Sequence, residues 1–198
     1  MRLFFVRHGE TAWNLERRYQ GRTDVDLCAA GLATARGIAS ALETAHVALL
    51  LASPLRRARV TAGVVGEALG GLPTVVDERL TEIDFGEWQG LTQQEVKAHW
   101  PRALRLWKQA PQTMCFPGGE SLGEALERLR DFLRHPPWEG RTGSGDVLAV
   151  THAGPIRLAG LVAAHRPLAQ FRQIAVDPGA VHAFEWSAGG ALRRASCQ

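Results

Sequence analysis

A chain of 198 residues is near the size of one domain and buries roughly 70% of its unfolded surface, enough for a core without disulfide staples. Its 45% hydrophobic and 22% charged residues exclude intrinsic disorder, and no apolar run approaches the ~20 residues of a membrane span. The net charge of +3 rests almost wholly on arginine, since only Lys97 and Lys108 are lysines, and no basic stripe with interleaved aromatics points to nucleic acid.

In chain order, Leu3 to Val6 is a short continuous apolar run, which predicts a strand buried on both faces. Arg7, His8 and Glu10 then interrupt the run before a signal-peptide core is complete, so a cytoplasmic location is expected. Leu32 to Leu42 is Ala-rich with helical apolar spacing, and Val47 to Ala52 predicts a second buried strand. Ser53-Pro54 predicts an N-cap with proline at the first helical position. Thr74 to Val76 is a weaker strand, and Thr92-x-x-Glu95 and Ser121-x-x-Glu124 are capping boxes that open helices.

Pro101 is expected to split the helix that begins near Thr92. Leu106 to Gly119 reads as a loop, with Pro111, Pro117 and Gly118-Gly119, and the stretch 91–121 as an excursion that packs over something. Val147 to Val150 is a third buried strand, Ala153 to His165 a helix and Val181 to Trp186 a last strand. Alternating strands and helices predict βαβ units, hence an α/β fold: a three-layer α/β/α sandwich around a mostly parallel sheet. The whole chain, 1–198, is expected to be a single domain. Cys28, Cys115 and Cys197 lack CxxC spacing, so neither a disulfide framework nor a zinc knuckle is expected.

The first strand runs into Arg7-His8-Gly9-Glu10-Thr11 and the third into Thr151-His152-Ala153-Gly154. Ligands of open α/β sheets sit beyond the carboxyl ends of the strands, so both histidines fall where a site is expected. Gly9 permits close backbone approach to a ligand, and the helix opening after His152 offers unpaired N–H groups to an anion. Small anionic substrates therefore stay open, because they need local and not global positive charge.

These residues carry a resemblance. Arg7-His8-Gly9-Glu10-Thr11-x-Trp13-Asn14 resembles the N-terminal signature of the histidine phosphatases, the phosphoglycerate mutase-like superfamily. Gln20-Gly21-Arg22-x-Asp24, Gly31-Leu32 and Ser53-x-Leu55-x-Arg57-Ala58-x-x-Thr61-Ala62 follow in that family's order. So do Leu80-x-Glu82-Ile83-x-Phe85-Gly86-x-Trp88-x-Gly90 and Val150-Thr151-His152-Ala153-Gly154-x-Ile156-Arg157. Two departures stand out: Asp26-Leu27-Cys28 where many members carry Pro-Leu-Thr, and Ala153 where glycine is common.

The resemblance implies a phosphomonoester hydrolase that needs no metal or cofactor. His8 would be the nucleophile and form a phosphohistidine; Arg7, Arg57 and His152 would surround the phosphoryl group; Glu82 would protonate the leaving alkoxide. Asn14, Gln20, Gly21, Thr23 and Ala153 are the expected further substrate contacts. Phe116-Pro117-Gly118-Gly119-Glu120-Ser121 resembles a segment of α-ribazole 5′-phosphate phosphatases, which serve cobalamin synthesis and share this segment with broad-range phosphatases. With it goes the expectation that Trp107, Met114 and Phe116 form an apolar cover over an aromatic or base-bearing alcohol. The partner expected is a small phosphorylated metabolite, with neither nucleic acid nor membrane, and the oligomeric state is left open, a homodimer included. A cofactor-dependent phosphoglycerate mutase and a catalytically silent phosphate-ligand binder are the alternatives.

Overall fold

The computed structural model describes residues 1–42, 45–140, 143 and 145–195. Strand β1 (Arg2–Arg7) leads into a short helix α1 (Ala12–Leu15), α2 (Ala29–Ala41), β2 (Val47–Ala52), α3 (Arg56–Ala68) and β3 (Thr74–Val76). Helices α4 (Gln93–His99), α5 (Pro101–Gln109) and α6 (Leu122–Arg134) precede β4 (Asp146–Thr151), α7 (Ala153–Ala163), β5 (Val181–Ser187) and β6 (Ala191–Arg194). One sheet has the order β3-β2-β4-β1-β5-β6; β1 to β4 pair in parallel, and β5 and β6 add an antiparallel edge. The α/β expectation holds, and the sheet is mostly parallel.

Strand periodicity divides the core. Phe4, Val6, Leu50, Ala52, Leu148 and Val150 pack with Ile38 of α2 and Ala58, Ala62 and Val65 of α3. Their alternates Leu3, Phe5, Leu51, Val147 and Ala149 pack with Leu129 and Phe132 of α6 and Ile156 and Ala159 of α7. Adjacent side chains of one strand thus point to opposite helical layers, which is why these strands read as continuous apolar runs.

Both predicted capping boxes form: Thr92 and Ser121 each accept from the backbone N–H three residues on, and Glu95 and Glu124 accept in return. Pro101 divides α4 from α5 at Trp100. Three readings need correction. Ser53 is not an N-cap, because α3 starts at Arg56 after Leu55 and the Ser53 hydroxyl serves another partner. Leu106 to Gln109 is the last turn of α5 and not loop, its apolar face packing ahead of Pro111. Helix α7 ends at Ala163, two residues early, and His165 takes a left-handed φ of 52°. Cys28 and Cys115 are free thiols, and Cys197 lies outside the described residues. Among the described residues no helix is long and apolar enough to cross a membrane.

Candidate active site

Sheet register builds the centre. Arg7 of β1 pairs with Thr151 of β4, so the residues that follow them, His8 and His152, leave the sheet side by side. His8 N–H donates to Thr151 O at 3.0 Å, and the two imidazole centroids lie 5.1 Å apart. The loop after His8 is pinned by glycine: a Cβ on Gly9 would stand 2.2 Å from Gly31 O, and one on Gly31 2.1 Å from Glu10 O. These backbones touch where no side chain fits, while Gly9 N–H donates to the buried Thr61 hydroxyl at 3.0 Å.

His8 is 2% exposed. Its Nδ1–H donates to Gly9 O at 2.7 Å, which leaves Nε2 with the lone pair, facing Arg57 Nε at 3.2 Å. Burial, then the charges of Arg57 and Arg7, hold this imidazole well below the ordinary histidine range, so it is neutral at pH 7. His152 is fully buried at the start of α7, with Nε2 2.7 Å from Ser53 Oγ and Nδ1 without a partner among the described residues. Burial and the Arg57 charge push its pKa well down too.

Arg57 is fully buried. Its Nη1 donates to Thr23 O at 2.8 Å and Nη2 to Gly21 O at 2.7 Å. Three of its five N–H groups are therefore engaged, and two remain for an anion. Burial lowers its pKa to about 10, which leaves it cationic at neutral pH. Arg7 is anchored by Nη1 to Val176 O at 2.6 Å, while its buried Nε has no partner among the described residues.

Glu82, 8% exposed, accepts through Oε1 from Ile83 N–H at 2.9 Å and Gly154 N–H at 3.0 Å. Oε1 is held as an acceptor on both counts, so Oε2 is the oxygen that can carry a proton. Gly154 is required here, because a Cβ on it would stand 2.2 Å from Oε1.

Arg7, His8, Asn14, Gln20, Gly21, Arg57, Glu82 and Ala153 all line one cavity of about 200 Å³. His152, fully buried with its ring 5.1 Å from that of His8, is not among the lining residues. Thr23 meets the site through its carbonyl on Arg57, and Gly21 does the same in addition to lining. Asn14 Oδ1 is engaged in capping α1, accepting from Thr11 N–H and hydroxyl at 2.9 Å. Cys28, at the departure from Pro-Leu-Thr, gives α2 no side-chain cap.

The expected apolar cover is only partly there. Trp107 reaches the cavity, whereas Met114 and Phe116 are core residues, 2% and 1% exposed. The Phe116 ring packs edge-on against Phe85, Trp88 and Trp107 at 4.8–5.1 Å, buttressing the wall from behind. Sequence reasoning also gave no site role to Ser53, Arg157, Tyr19 or Arg172; the last three line the cavity. Ser53 and Arg157 stand inside matched motifs, but nothing in the sequence marks Arg172.

Known proteins resemble this chain in sequence and in fold. A phosphoserine phosphatase 1 of Hydrogenobacter thermophilus is 36% identical over 157 residues, 79% of this chain and 73% of that protein. A 2,3-bisphosphoglycerate-dependent phosphoglycerate mutase 2 of Gloeobacter violaceus is 34% identical, over 95% of this chain and 87% of its own length. Among solved structures, the α-ribazole phosphatase of Shigella flexneri superposes with a TM-score of 0.86 at 25% identity, covering 98% of this chain and 95% of its own. A mycobacterial glucosyl-3-phosphoglycerate phosphatase does so with 0.81 at 30%, covering 94% and 98%. The family model of the histidine phosphatase superfamily (branch 1) matches residues 3–196, and the chain belongs to that superfamily.

Proposed function

We propose that this protein hydrolyses phosphate monoesters through a phosphohistidine at His8, without a metal ion. The observation that carries the reading is the pair of buried groups beside a neutral imidazole that have no partner among the described residues, Arg7 Nε and His152 Nδ1. Buried polar groups are almost always paired, so unpaired donors on the residue preceding His8 and on the imidazole 5.1 Å from it call for an occupant. A phosphoryl group fits: it brings acceptors to Arg7, to the two spare N–H groups of Arg57 and to His152 Nδ1–H, provided the Ser53 hydroxyl donates to His152 Nε2.

A phosphomonoester resists attack because its own oxygens repel a nucleophile. In the first half-reaction Arg7 and Arg57 offset that charge, a role metal ions fill elsewhere, and neutral His152 adds a hydrogen bond. Arg57 Nε–H turns from His8 Nε2 to a phosphoryl oxygen and frees the lone pair; Nε2 forms a bond to phosphorus, the bond from phosphorus to the ester oxygen breaks, and Glu82 Oε2 delivers its proton to the departing alkoxide. Gly9 O retains Nδ1–H and stabilises the positive charge that develops on the ring. In the second half-reaction the Glu82 carboxylate takes a proton from water, the water oxygen bonds to phosphorus as the bond from phosphorus to Nε2 breaks, and phosphate leaves with neutral His8 restored.

Release of inorganic phosphate from a panel of monoesters in excess EDTA tests this reading, with α-ribazole 5′-phosphate, 3-phosphoglycerate, common nucleotides and p-nitrophenyl phosphate included. Turnover is expected with chelator present and is lost in His8→Ala. Ligand binding with no turnover on any ester would make the chain a silent binder. Phosphoryl transfer from 2,3-bisphosphoglycerate faster than hydrolysis would make it a mutase, the reading that the Gloeobacter likeness favours.

A further inference from the structure

None of Pro117, Gly118, Gly119, Glu120 and Ser121 lines the cavity, yet two loops of the site meet on this segment. Glu120 is the junction. Its Oε1 accepts from Asp84 N–H at 2.9 Å and Arg128 Nη2 at 2.6 Å, and its Oε2 from Arg22 Nη2 at 3.1 Å. Glu120 N–H donates in turn to Asp84 O at 3.1 Å, so the two residues clasp each other through backbone and side chain. Glycine lets the segment come this close: a Cβ on Gly119 would stand 2.4 Å from Asp84 O, and one on Gly86 2.1 Å from Pro117 O. The Glu120 and Arg128 side chains are 13% and 18% exposed, so solvent ions screen their pair only weakly.

Each partner of Glu120 leads to a reacting group. Thr81 to Phe85 belong to no helix or strand, so their backbone groups need partners outside the regular ladders. Arg128 Nη1 donates to Arg79 O at 3.0 Å and Thr81 O at 2.8 Å, and its Nη2 lies 3.5 Å from Glu82 O. With Asp84 N–H on Glu120, one ion pair therefore fixes the backbone on both sides of Glu82. On the other arm, Arg22 stands between Gly21 and Thr23, the residues whose carbonyls hold Arg57. Arg22 N–H donates to Gln89 Oε1, and its Nη1 lies 3.7 Å from Asp84 Oδ2. Glu82 and the carbonyls that hold Arg57 thus belong to separate loops, and the Glu120 carboxylate bonds to both loops.

We propose that Glu120 is a positioning residue: it sets the proton donor Glu82 and the carbonyl cradle of Arg57 in register with one another, through Asp84 and Arg128 on one side and Arg22 on the other. The assignment rests on the hydrolase reading and adds to it a side chain outside the cavity. An error of about 1 Å in a reacting group costs on the order of 100-fold in rate, so a clasp that never meets the ester is enough to govern turnover. The stretch from Phe116 to Ser121 thereby has a task besides capping α6.

Two readouts separate the arms: the ratio of kcat/KM for an alkyl phosphate to that for p-nitrophenyl phosphate, and the Ki of inorganic phosphate. Glu120→Ala releases both arms, so the ratio should fall about tenfold or more and Ki should rise about fivefold. Glu120→Gln keeps one carbonyl for Asp84 N–H and Arg128 but offers Arg22 an amide N–H, so it should restore the ratio and leave Ki raised. Arg22→Gln, at an exposed position, should raise Ki and spare the ratio. Gly119→Ala removes no charge and should lower the ratio by driving Asp84 O back. In a Glu82→Gln background, Glu120→Ala should lower the ratio no further, because the donor it places is gone. A residue that only supports the fold would lower Tm and move neither readout. An unchanged ratio in folded Glu120→Ala, or in Gly119→Ala should that chain not fold, overturns the proposal, as does an unchanged Ki in Arg22→Gln; turnover of p-nitrophenyl phosphate then leaves the hydrolase reading standing. Failure of the wild type on both esters overturns that reading and the proposal with it.

Discussion

Replacing Gly154 by alanine displaces the carboxyl of Glu82 without altering it. The new methyl carbon would stand 2.2 Å from Glu82 Oε1 and 2.8 Å from the Ile83 side chain, where ordinary contact begins at 3.4 Å. Oε1 must therefore retreat by about 1 Å, a displacement on the scale that costs on the order of 100-fold in rate when it falls on a reacting group. The retreat also breaks the hydrogen bonds from Ile83 and Gly154 N–H, each contributing about 1.5–3 kcal/mol if the carboxylate is charged. Alanine returns about 0.5–1 kcal/mol of helix propensity. The net loss of about 2–5.5 kcal/mol should lower Tm by roughly 4–20 °C at ~2–4 °C per kcal/mol, so activity is compared below the variant's own Tm.

The decisive assay compares two leaving groups. kcat/KM for an alkyl phosphate should fall about 100-fold. p-Nitrophenyl phosphate, whose leaving group scarcely needs a proton, should lose less than about fivefold. Glu82→Gln should give the same split. Equal losses on both esters, or an alkyl ester turned over at the wild-type rate by folded Gly154→Ala, would refute the assignment of Glu82 as the acid.

Ser53→Ala strands His152 Nε2 and the Leu55 N–H that Ser53 Oγ accepts at 3.3 Å, a loss of about 1–3 kcal/mol of stability. It also frees the imidazole to take the wrong tautomer, so kcat should drop by up to about 100-fold, the lower end of what a lost transition-state donor costs. Ser53→Thr, which keeps the hydroxyl, should recover most of it; wild-type kcat in Ser53→Ala would contradict the tautomer argument. Stability should also track the two buried imidazoles. Both have folded pKa values well below the ordinary one, so below about pH 6.5 the unfolded chain takes up protons that the folded chain refuses. Stability is then full above that pH and falls as pH drops through it, by up to about 1.4 kcal/mol per pH unit for each histidine. Urea midpoints should stay level from pH 7.5 to about 6.5 and decline from there to 5.5; a flat profile throughout would mean that the histidines are not held neutral.

Much of this site is legible in the sequence because its chemistry is carried by residues at strand ends. Arg7-His8 and Thr151-His152 close two apolar runs, and the parallel register between those runs brings the histidines together. Glu82 is legible only through its motif, since Asp84 and Glu87 are chemically equivalent neighbours; in the structure Glu82 lines the cavity, whereas Asp84 pairs with Arg22. Ser53 looks like a helix cap because Ser-Pro is a strong local signal, yet a tertiary partner 99 residues away claims its hydroxyl. Trp107, Met114 and Phe116 show the same limit: composition marks them as apolar, but which of them faces the cavity depends on how α5 packs. Strand β6 escapes notice because Ala191–Arg194 has a single buried apolar residue, Leu192, and owes its conformation to pairing with β5.

The central claim concerns one nitrogen. Turnover of a phosphate-labelled ester, quenched in base during steady state, should leave label on the protein that is stable to alkali and lost in mild acid, and that maps to the peptide holding His8. Absence of such label during active turnover, or its appearance on any other residue, would contradict the account.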